Sequence, residues 1–166
     1  MSRILRIGGA CLNQIPMDWN HNLKNIKNAF QEAQKNNIEL LCLPELCITG
    51  YGCEDMFLST WLCETAHAKL IELLPFTSGL ITSLGLPVRF EDQIYNCIAI
   101  VEDKKILGVY AKHNLANDGI HYEKRWFSSW PYHKIETLNI AGQPIQIGAI
   151  SLEIKNIKIG FEICED

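Results

Sequence analysis

The chain has 166 residues, a net charge of −4 at pH 7 and a pI near 5.7, and 48% of its residues are hydrophobic. This length suits one domain, or a large piece of one, with a sizeable core. The chain lacks the clustered Lys and Arg that bind nucleic acids or anionic membranes, and no apolar run approaches the roughly 20 residues that span a bilayer. We therefore expect neither nucleic acid nor a membrane as a partner.

The first half of the chain alternates predicted strands with predicted helices. In residues 21–37, Leu23, Ile26, Phe30 and Ala33 recur three and four apart, which is typical of an amphipathic helix. A second helical pattern covers residues 59–75 and ends at a proline. Strands are predicted before, between and after these helices, at Ile4–Leu12, Ile38–Leu43 and Leu80–Leu86. This βαβαβ order favours a sheet with parallel strands and helices on its face.

The second half of the chain is richer in strands. Two predicted strands, Tyr95–Val101 and Ile106–Tyr110, flank a charged segment at residues 102–104, which indicates an antiparallel hairpin. Further strands are predicted at Ile145–Ile150 and Ile157–Cys164. Periodicity alone therefore predicts a mixed α/β fold.

The seven cysteines form no C-x-x-C pair, and their number is odd. Disulfide frameworks of small secreted domains and structural zinc sites both favour closely spaced, paired cysteines. Most of these cysteines lie within apolar runs, so we expect core thiols, no metal site and a cytoplasmic location.

Three residues with reactive side chains lie at the ends of predicted strands: Glu45, Lys112 and Cys164. A carboxylate at the exit of a buried strand loses hydration, so its pKa rises and it suits a general base. An ammonium group can stabilise a developing oxyanion, and a thiolate is a nucleophile. A base, a cation and a thiol together are what acyl transfer from an amide requires.

Each of these residues alone has a simpler explanation. Glu45 suits a turn or a helix cap, Lys112 suits a solvated surface lysine, and Cys164 suits a thiol packed in the core. Because all three lie at strand ends, we predict that they converge at one rim of a sheet. We also expect Cys164 to occupy a sharp strand-to-helix elbow, as activated nucleophiles often do.

The sequence contexts of these residues are more specific than the residues themselves. They read PELCITGYG at residues 44–52, AKHNLANDGIHYEKRWF at residues 111–127 and GFEICED at residues 160–166. In this order they resemble the nitrilase, or carbon–nitrogen hydrolase, superfamily. Within it, the chain is most similar to the glutamine amidotransferase domain of glutamine-dependent NAD synthetases, and the similarity spans the whole chain.

The resemblance implies an αββα sandwich and a role for each site residue. Glu45 would be the general base, Lys112 the oxyanion stabiliser and Cys164 the nucleophile. Glu123 would help to position these three, and Glu165 would supply a backbone N–H to the oxyanion hole. The substrate loop would contain Asp118, where some relatives have a tyrosine.

The resemblance also implies partners. The substrate would be L-glutamine, and the released ammonia would pass to a C-terminal synthetase domain that uses ATP, Mg²⁺ and deamido-NAD, with the whole enzyme a homo-oligomer. No cofactor is expected within residues 1–166, which would be the N-terminal part of a glutaminase domain whose remainder and synthetase domain follow. Made alone, this piece is expected to have little activity.

Three other functions compete with this interpretation. A stand-alone amidase or carbamoylase of the same superfamily would use the same three residues. A non-catalytic assembly module would pair through strand edges left open by a partial sandwich. A redox sensor is the third possibility, although no resolving cysteine lies close to Cys164 in sequence.

Overall fold

The computed structural model describes residues 4–166. It contains two α-helices, α1 (Trp19–Lys35) and α2 (Thr60–Leu73), which match the two helical patterns of the sequence. No helix among the described residues is long and apolar enough to span a membrane. The strands are β1 (Ile7–Gly9), β2 (Leu40–Cys42), β3 (Ile81–Phe90), β4 (Gln93–Glu102), β5 (Lys105–Ala111), β6 (Ile135–Ile140), β7 (Gln143–Gly148), β8 (Leu152–Ile154) and β9 (Ile157–Ile159).

Seven strands form one mixed sheet in the order β1-β2-β3-β4-β5-β7-β6. Strands β1, β2 and β3 are parallel, and β4 and β5 form an antiparallel hairpin, so both of these predictions are confirmed. Because β3–β4 and β4–β5 are both antiparallel, β5 runs in the same direction as β2. The carboxyl ends of β2 and β5 therefore lie at the same edge of the sheet.

The sheet is covered on both faces. Helices α1 and α2 pack on one face, where Ile26, Phe30 and Leu70 join a large buried cluster with strand residues. The hairpin of β8 and β9 covers the opposite face, where Ile154 and Ile159 pack near Leu40. The layer order is helix, sheet, sheet, which agrees with the predicted mixed α/β class and with three layers of an αββα sandwich.

Strand β9 differs from its prediction. The predicted strand Ile157–Cys164 is wrong beyond Ile159, because residues 160–163 have no regular structure. Strand β9 also pairs only with β8, so Cys164 does not end a strand of the main sheet. Phe161 and Ile163 pack on the sheet face while Glu162 between them is exposed, an alternation that a strand would share.

Strand β3 runs farther than predicted, through Pro87 to Phe90. A proline in a central strand removes a ladder hydrogen bond, so proline is found mainly in edge strands and at bulges. Here β2 pairs with β3 only as far as Ser83. Beyond Ser83 no strand among residues 4–166 pairs with this side of β3, and proline is tolerated at such an edge.

Gly85 lies in β3 directly behind the turn that follows β2. A Cβ atom at position 85 would lie 2.3 Å from the backbone N of Leu46 and 2.7 Å from the carbonyl O of Pro44. Both neighbours are backbone atoms and cannot rotate away as a side chain could. This turn can therefore pack against β3 only because residue 85 is a glycine.

Candidate active site

A buried lysine joins two glutamates at the carboxyl edge of the sheet. Lys112 Nζ lies 2.6 Å from Glu45 Oε1 and 2.9 Å from Glu123 Oε2. The side chains of Lys112 and Glu123 are 0% and 1% exposed, and that of Glu45 is 19% exposed. The structure therefore places three of the predicted site residues in direct contact, although they are separated by up to 78 positions in the sequence (123 − 45).

The strands explain this convergence. Glu45 begins the turn after β2, and Lys112 directly follows β5, at the same edge of the sheet. The backbone N–H of Lys112 donates to the carbonyl of Asn96, which extends the pairing of β5 with β4 by one residue. The interpretation of Lys112 as a solvated surface lysine is wrong, because its ammonium group is buried between carboxylates.

Glu123 also organises the loop in which it lies. Its carboxylate accepts a hydrogen bond from the backbone N–H of Ala116 at 2.9 Å, and its own backbone N–H donates to the carbonyl of Ala116 at 3.0 Å. The Tyr51 hydroxyl donates to Glu123 Oε1 at 2.9 Å. Glu123 therefore ties residues 116–123 to the Lys112 ammonium group and to the loop after β2.

The electrostatic environment favours a proton on Glu45. Burial raises the pKa of Glu45 above its ordinary value, against the opposing effect of the Lys112 ammonium group. Burial alone would lower the pKa of Lys112, but its hydrogen bonds to Glu45 and Glu123 leave the pKa raised. Lys112 therefore stays charged, while Glu45 is the carboxylate better suited to exchange a proton.

Cys164 lies in a tight turn closed by a hydrogen bond from the N–H of Asp166 to the carbonyl of Ile163. Its φ of +51° is in the left-handed region, which costs energy for a residue with a Cβ and often marks a functional site. Its side chain is exposed, so the interpretation as a core thiol is wrong. Cys164 follows an irregular segment, so the strand part of the predicted strand-to-helix elbow is wrong, and the helix part stays a prediction.

Cys164 and Glu45 line one cavity of about 230 Å³ on the sheet face opposite the helices. Ser83 and Ile98 form part of the sheet wall of this cavity, and residues 160–163 form the opposite wall. The volume suits a small ligand and lies below the range typical of drug-sized ligands. The proposed nucleophile and base therefore face the same small space.

The thiol of Cys164 differs electrostatically from the buried thiols. Burial raises the pKa of Cys164, and Lys112 opposes that rise. Burial raises the pKa of Cys47 to about 12 and the pKa values of Cys53 and Cys63 to about 11, which leaves these thiols protonated and inert. Four of the seven cysteines are buried, as predicted for most of them.

The remaining predicted site residues lie at the surface. Asp118 is exposed, and its carboxylate accepts a hydrogen bond from the N–H of Gly119 at 2.8 Å, so the structure does not bring it to Glu45 or Lys112. Glu165 is exposed in the turn that contains Cys164. In the same loop, Arg125 forms a two-point ion pair with Asp55 that ties residues 114–127 to residues 54–58.

Sequence reasoning missed two residues of the cluster, Asn96 and Tyr51. The Asn96 amide donates to Glu45 Oε1 at 2.6 Å and is fully buried within β4. A polar residue inside an otherwise apolar strand was the available signal, because a buried amide needs a partner. In addition, no group of three or more His, Cys, Asp and Glu residues among positions 4–166 could hold a metal ion.

Comparison with protein families identifies the family of this chain. Residues 6–166 match the model of the carbon-nitrogen hydrolase family. The chain is 35% identical over 178 residues to the glutamine-dependent NAD(+) synthetase of Arabidopsis thaliana, an alignment that covers 99% of this chain and 24% of the relative. It therefore spans about a quarter of the length of the curated relatives that it matches.

Comparison with solved structures also finds a glutamine-dependent NAD(+) synthetase. The chain superposes on a glutamine-dependent NAD(+) synthetase from Cytophaga hutchinsonii with a TM-score of 0.95 and 48% identity, which covers 98% of this chain and 28% of that one. An amidase from Nesterenkonia sp. matches with a TM-score of 0.66 and 21% identity over 86% of this chain and 54% of that one. The second match shows a shared fold only.

Proposed function

Since this chain belongs to the carbon–nitrogen hydrolase family, we propose that it hydrolyses L-glutamine and supplies ammonia to a synthetase domain of a longer protein. The observation that carries the proposal is the contact of Lys112 with Glu45 and Glu123, beside a cavity that Glu45 shares with Cys164. Similarity to glutamine-dependent NAD(+) synthetases over nearly the whole chain supports glutamine as the substrate.

In the first half of the proposed reaction, Glu45 accepts the proton of the Cys164 thiol, and the sulfur attacks the side-chain amide carbon of glutamine. The carbonyl oxygen becomes an oxyanion. The Lys112 ammonium group lies within hydrogen-bond distance of Glu45 Oε1 and of both Glu123 oxygens, and its positive charge can stabilise this oxyanion once an N–H turns toward it. The backbone N–H of Glu165 is the second proposed donor.

In the second half, the C–N bond breaks and the amide nitrogen leaves as ammonia with the proton held by Glu45. A γ-glutamyl thioester remains on Cys164. Glu45 then deprotonates a water molecule that attacks the thioester, and the released thiolate recovers a proton as glutamate departs. Glu123 does not touch the substrate in this scheme and instead holds Lys112 in place.

The proposal also covers a longer protein that would contain this chain. ATP, Mg²⁺ and deamido-NAD would bind in a C-terminal synthetase domain, and we assign none of residues 4–166 to them. The relatives are longer proteins, which agrees with such a domain. Assembly as a homo-oligomer, a cytoplasmic location and a substrate role for Asp118 are also proposed. The buried cluster of Lys112, Glu45 and Glu123 favours an enzyme over a non-catalytic assembly module.

Substrate preference tests the proposal against a stand-alone amidase. The purified protein would be assayed for ammonia release from L-glutamine, L-asparagine and simple aliphatic amides at equal concentration. We expect glutamine to give the highest kcat/KM, by at least about tenfold. A preference for aliphatic amides would favour the amidase, and no ammonia release from any amide would contradict the proposed reaction.

Asn96→Leu should move the acid limb of the pH profile upward. The Asn96 amide hydrogen bond favours the charged form of Glu45, so its loss raises the pKa of Glu45 further. Deprotonated Glu45 then becomes populated only at higher pH. A hydrogen bond worth about 1.4 kcal/mol corresponds to a shift of about one pH unit in the acid limb of kcat/KM.

Thr82→Val is the matched control for Asn96→Leu. Thr82 is fully buried in the neighbouring strand β3, and within residues 4–166 its hydroxyl has no hydrogen-bond partner. This control should leave the acid limb in place. An unchanged acid limb in Asn96→Leu would show that Glu45 is not the titrating base.

A further inference from the structure

Asp166 has a carboxylate that accepts four hydrogen bonds. Its Oδ1 accepts from the backbone N–H groups of His113 at 2.9 Å and Asn114 at 2.8 Å. Its Oδ2 accepts from the Tyr110 hydroxyl at 3.1 Å and from the backbone N–H of Ile163 at 3.2 Å. A half-buried carboxylate with this many donors is fixed in position from several sides.

These hydrogen bonds connect two separate parts of the site. Lys112 lies between Tyr110 and His113 in sequence, and Cys164 lies in the turn from Ile163 to Asp166. The main sheet does not make this connection, because the strand before Cys164 pairs only with β8. Asp166 is therefore a direct link between the turn of the thiol and the segment of the ammonium group.

The turn of Cys164 also requires support. A residue with a Cβ at a φ of +51° persists only where its surroundings hold it there. The hydrogen bond from Ile163 to Asp166 Oδ2 and the bond from the Asp166 N–H to the Ile163 carbonyl close this turn on both sides. Asp166 thus holds the strained turn and anchors it to the neighbouring segment.

We propose that Asp166 is a positioning residue, which fixes Cys164 relative to Lys112 by holding the turn of residues 163–166 against residues 110–114. The inference rests on the proposed function only in taking Cys164 as the reacting group. Asp166 itself touches neither the substrate nor the thiol in this role. Its four donors and its place between the two segments carry the argument.

The chemistry of the four donors makes Asp166→Asn a sharp test. All four partners are N–H or O–H groups, and a carboxylate has only acceptors. An asparagine amide would direct its NH₂ group at the N–H groups of His113 and Asn114 in one orientation. In the other it would face the N–H of Ile163, and only the Tyr110 hydroxyl could turn to accept from it. The substitution keeps the size of the side chain and breaks the link on one side, so the turn should shift relative to Lys112.

The first measurement is the pH dependence of Cys164 alkylation by iodoacetamide, followed on the peptide that contains Cys164. Burial raises the pKa of this thiol, Lys112 lowers it, and Glu45, Glu165 and Glu123 raise it. A displaced turn loses the effects of burial, Lys112, Glu45 and Glu123 together, and in the wild-type site their sum raises the pKa. We therefore expect the apparent pKa of Cys164 to fall toward its ordinary value in Asp166→Asn.

The second measurement is the steady-state hydrolysis of glutamine by the full-length protein. Misplacement of a reacting group by about 1 Å costs about a hundredfold in rate, so kcat should fall by roughly ten- to a hundredfold, with KM changed less than about threefold. Tyr110→Phe removes only one of the four hydrogen bonds and should give a smaller loss in kcat. Asp103→Asn is the control, because the exposed Asp103 carboxylate accepts from the Gly79 N–H at 2.7 Å in a distant turn.

The possible results distinguish a failure of the positioning role of Asp166 from a failure of the proposed glutamine hydrolysis. An unchanged alkylation pKa and an unchanged kcat in Asp166→Asn would overturn the positioning role. If that variant fails to fold, Tyr110→Phe decides by the same two measurements. If the wild-type protein releases no ammonia from glutamine but the alkylation pKa still falls in Asp166→Asn, the proposed function fails and the positioning role stands.

Discussion

Replacement of Cys164 with alanine is expected to abolish glutamine hydrolysis, with a loss in kcat of about 10⁴-fold or more. This is the scale for removing one member of a nucleophile–base unit, because no other group can form the covalent intermediate. The methyl group of alanine can occupy the exposed turn without a clash, so folding should be retained. Ammonia release from glutamine measures the effect.

The same variant separates the two proposed activities of the longer protein. Cys164 would act only in the release of ammonia, so synthesis of NAD from added ammonia should continue in Cys164→Ala. Cys11→Ala is the matched control, because Cys11 is also an exposed thiol but follows β1 and lies outside the cavity of Cys164. Normal glutaminase activity in Cys164→Ala would refute the assignment of the nucleophile.

Lys112→Met should cost both activity and stability. The loss of an oxyanion donor lowers kcat by about 10²- to 10³-fold. The side chain of Lys112 is 0% exposed and that of Glu123 is 1% exposed, so the substitution also leaves a buried carboxylate without its cation. Breaking a buried ion pair in this way costs about 3–5 kcal/mol in the free energy of unfolding. Glutaminase assays and urea denaturation measure the two effects.

The position of Lys112 at the end of a strand would by itself predict no loss of stability. A lysine at the end of a strand would be a surface residue whose removal leaves stability unchanged, but Lys112 is buried. The double variant Lys112→Met/Glu123→Gln separates the two effects, because it removes the stranded charge. It should recover much of the stability and none of the activity. Wild-type turnover in either variant would exclude Lys112 from catalysis.

The parts of the fold that were predictable depend on local patterns. The apolar stripe of Leu23, Ile26 and Phe30 predicts α1, and the charged segment at residues 102–104 predicts the hairpin of β4 and β5. The order of strands and helices then places the ends of β2 and β5 at one edge. The meeting of Glu45 with Lys112 was therefore predictable from the sequence.

Other features depend on tertiary contacts that no local pattern encodes. Strand β6 (Ile135–Ile140) lies at the edge of the sheet, and its three polar residues, two of them adjacent, break the apolar run that marks a central strand. The apolar residues after Ile159 suit a strand and a packed, irregular segment equally well. Likewise, a single lysine in a sequence does not reveal that two distant carboxylates bury it.

The close approach at Gly85 limits how this site can be redesigned. Ser83 and Ile98 form part of the cavity wall and present side chains that could be exchanged to admit a larger or differently shaped amide. Gly85, only two positions beyond Ser83 in the same strand, allows no such exchange, because any side chain there would displace the turn of Glu45. Libraries aimed at new substrates should therefore vary Ser83 and Ile98 in the cavity wall and keep this glycine constant.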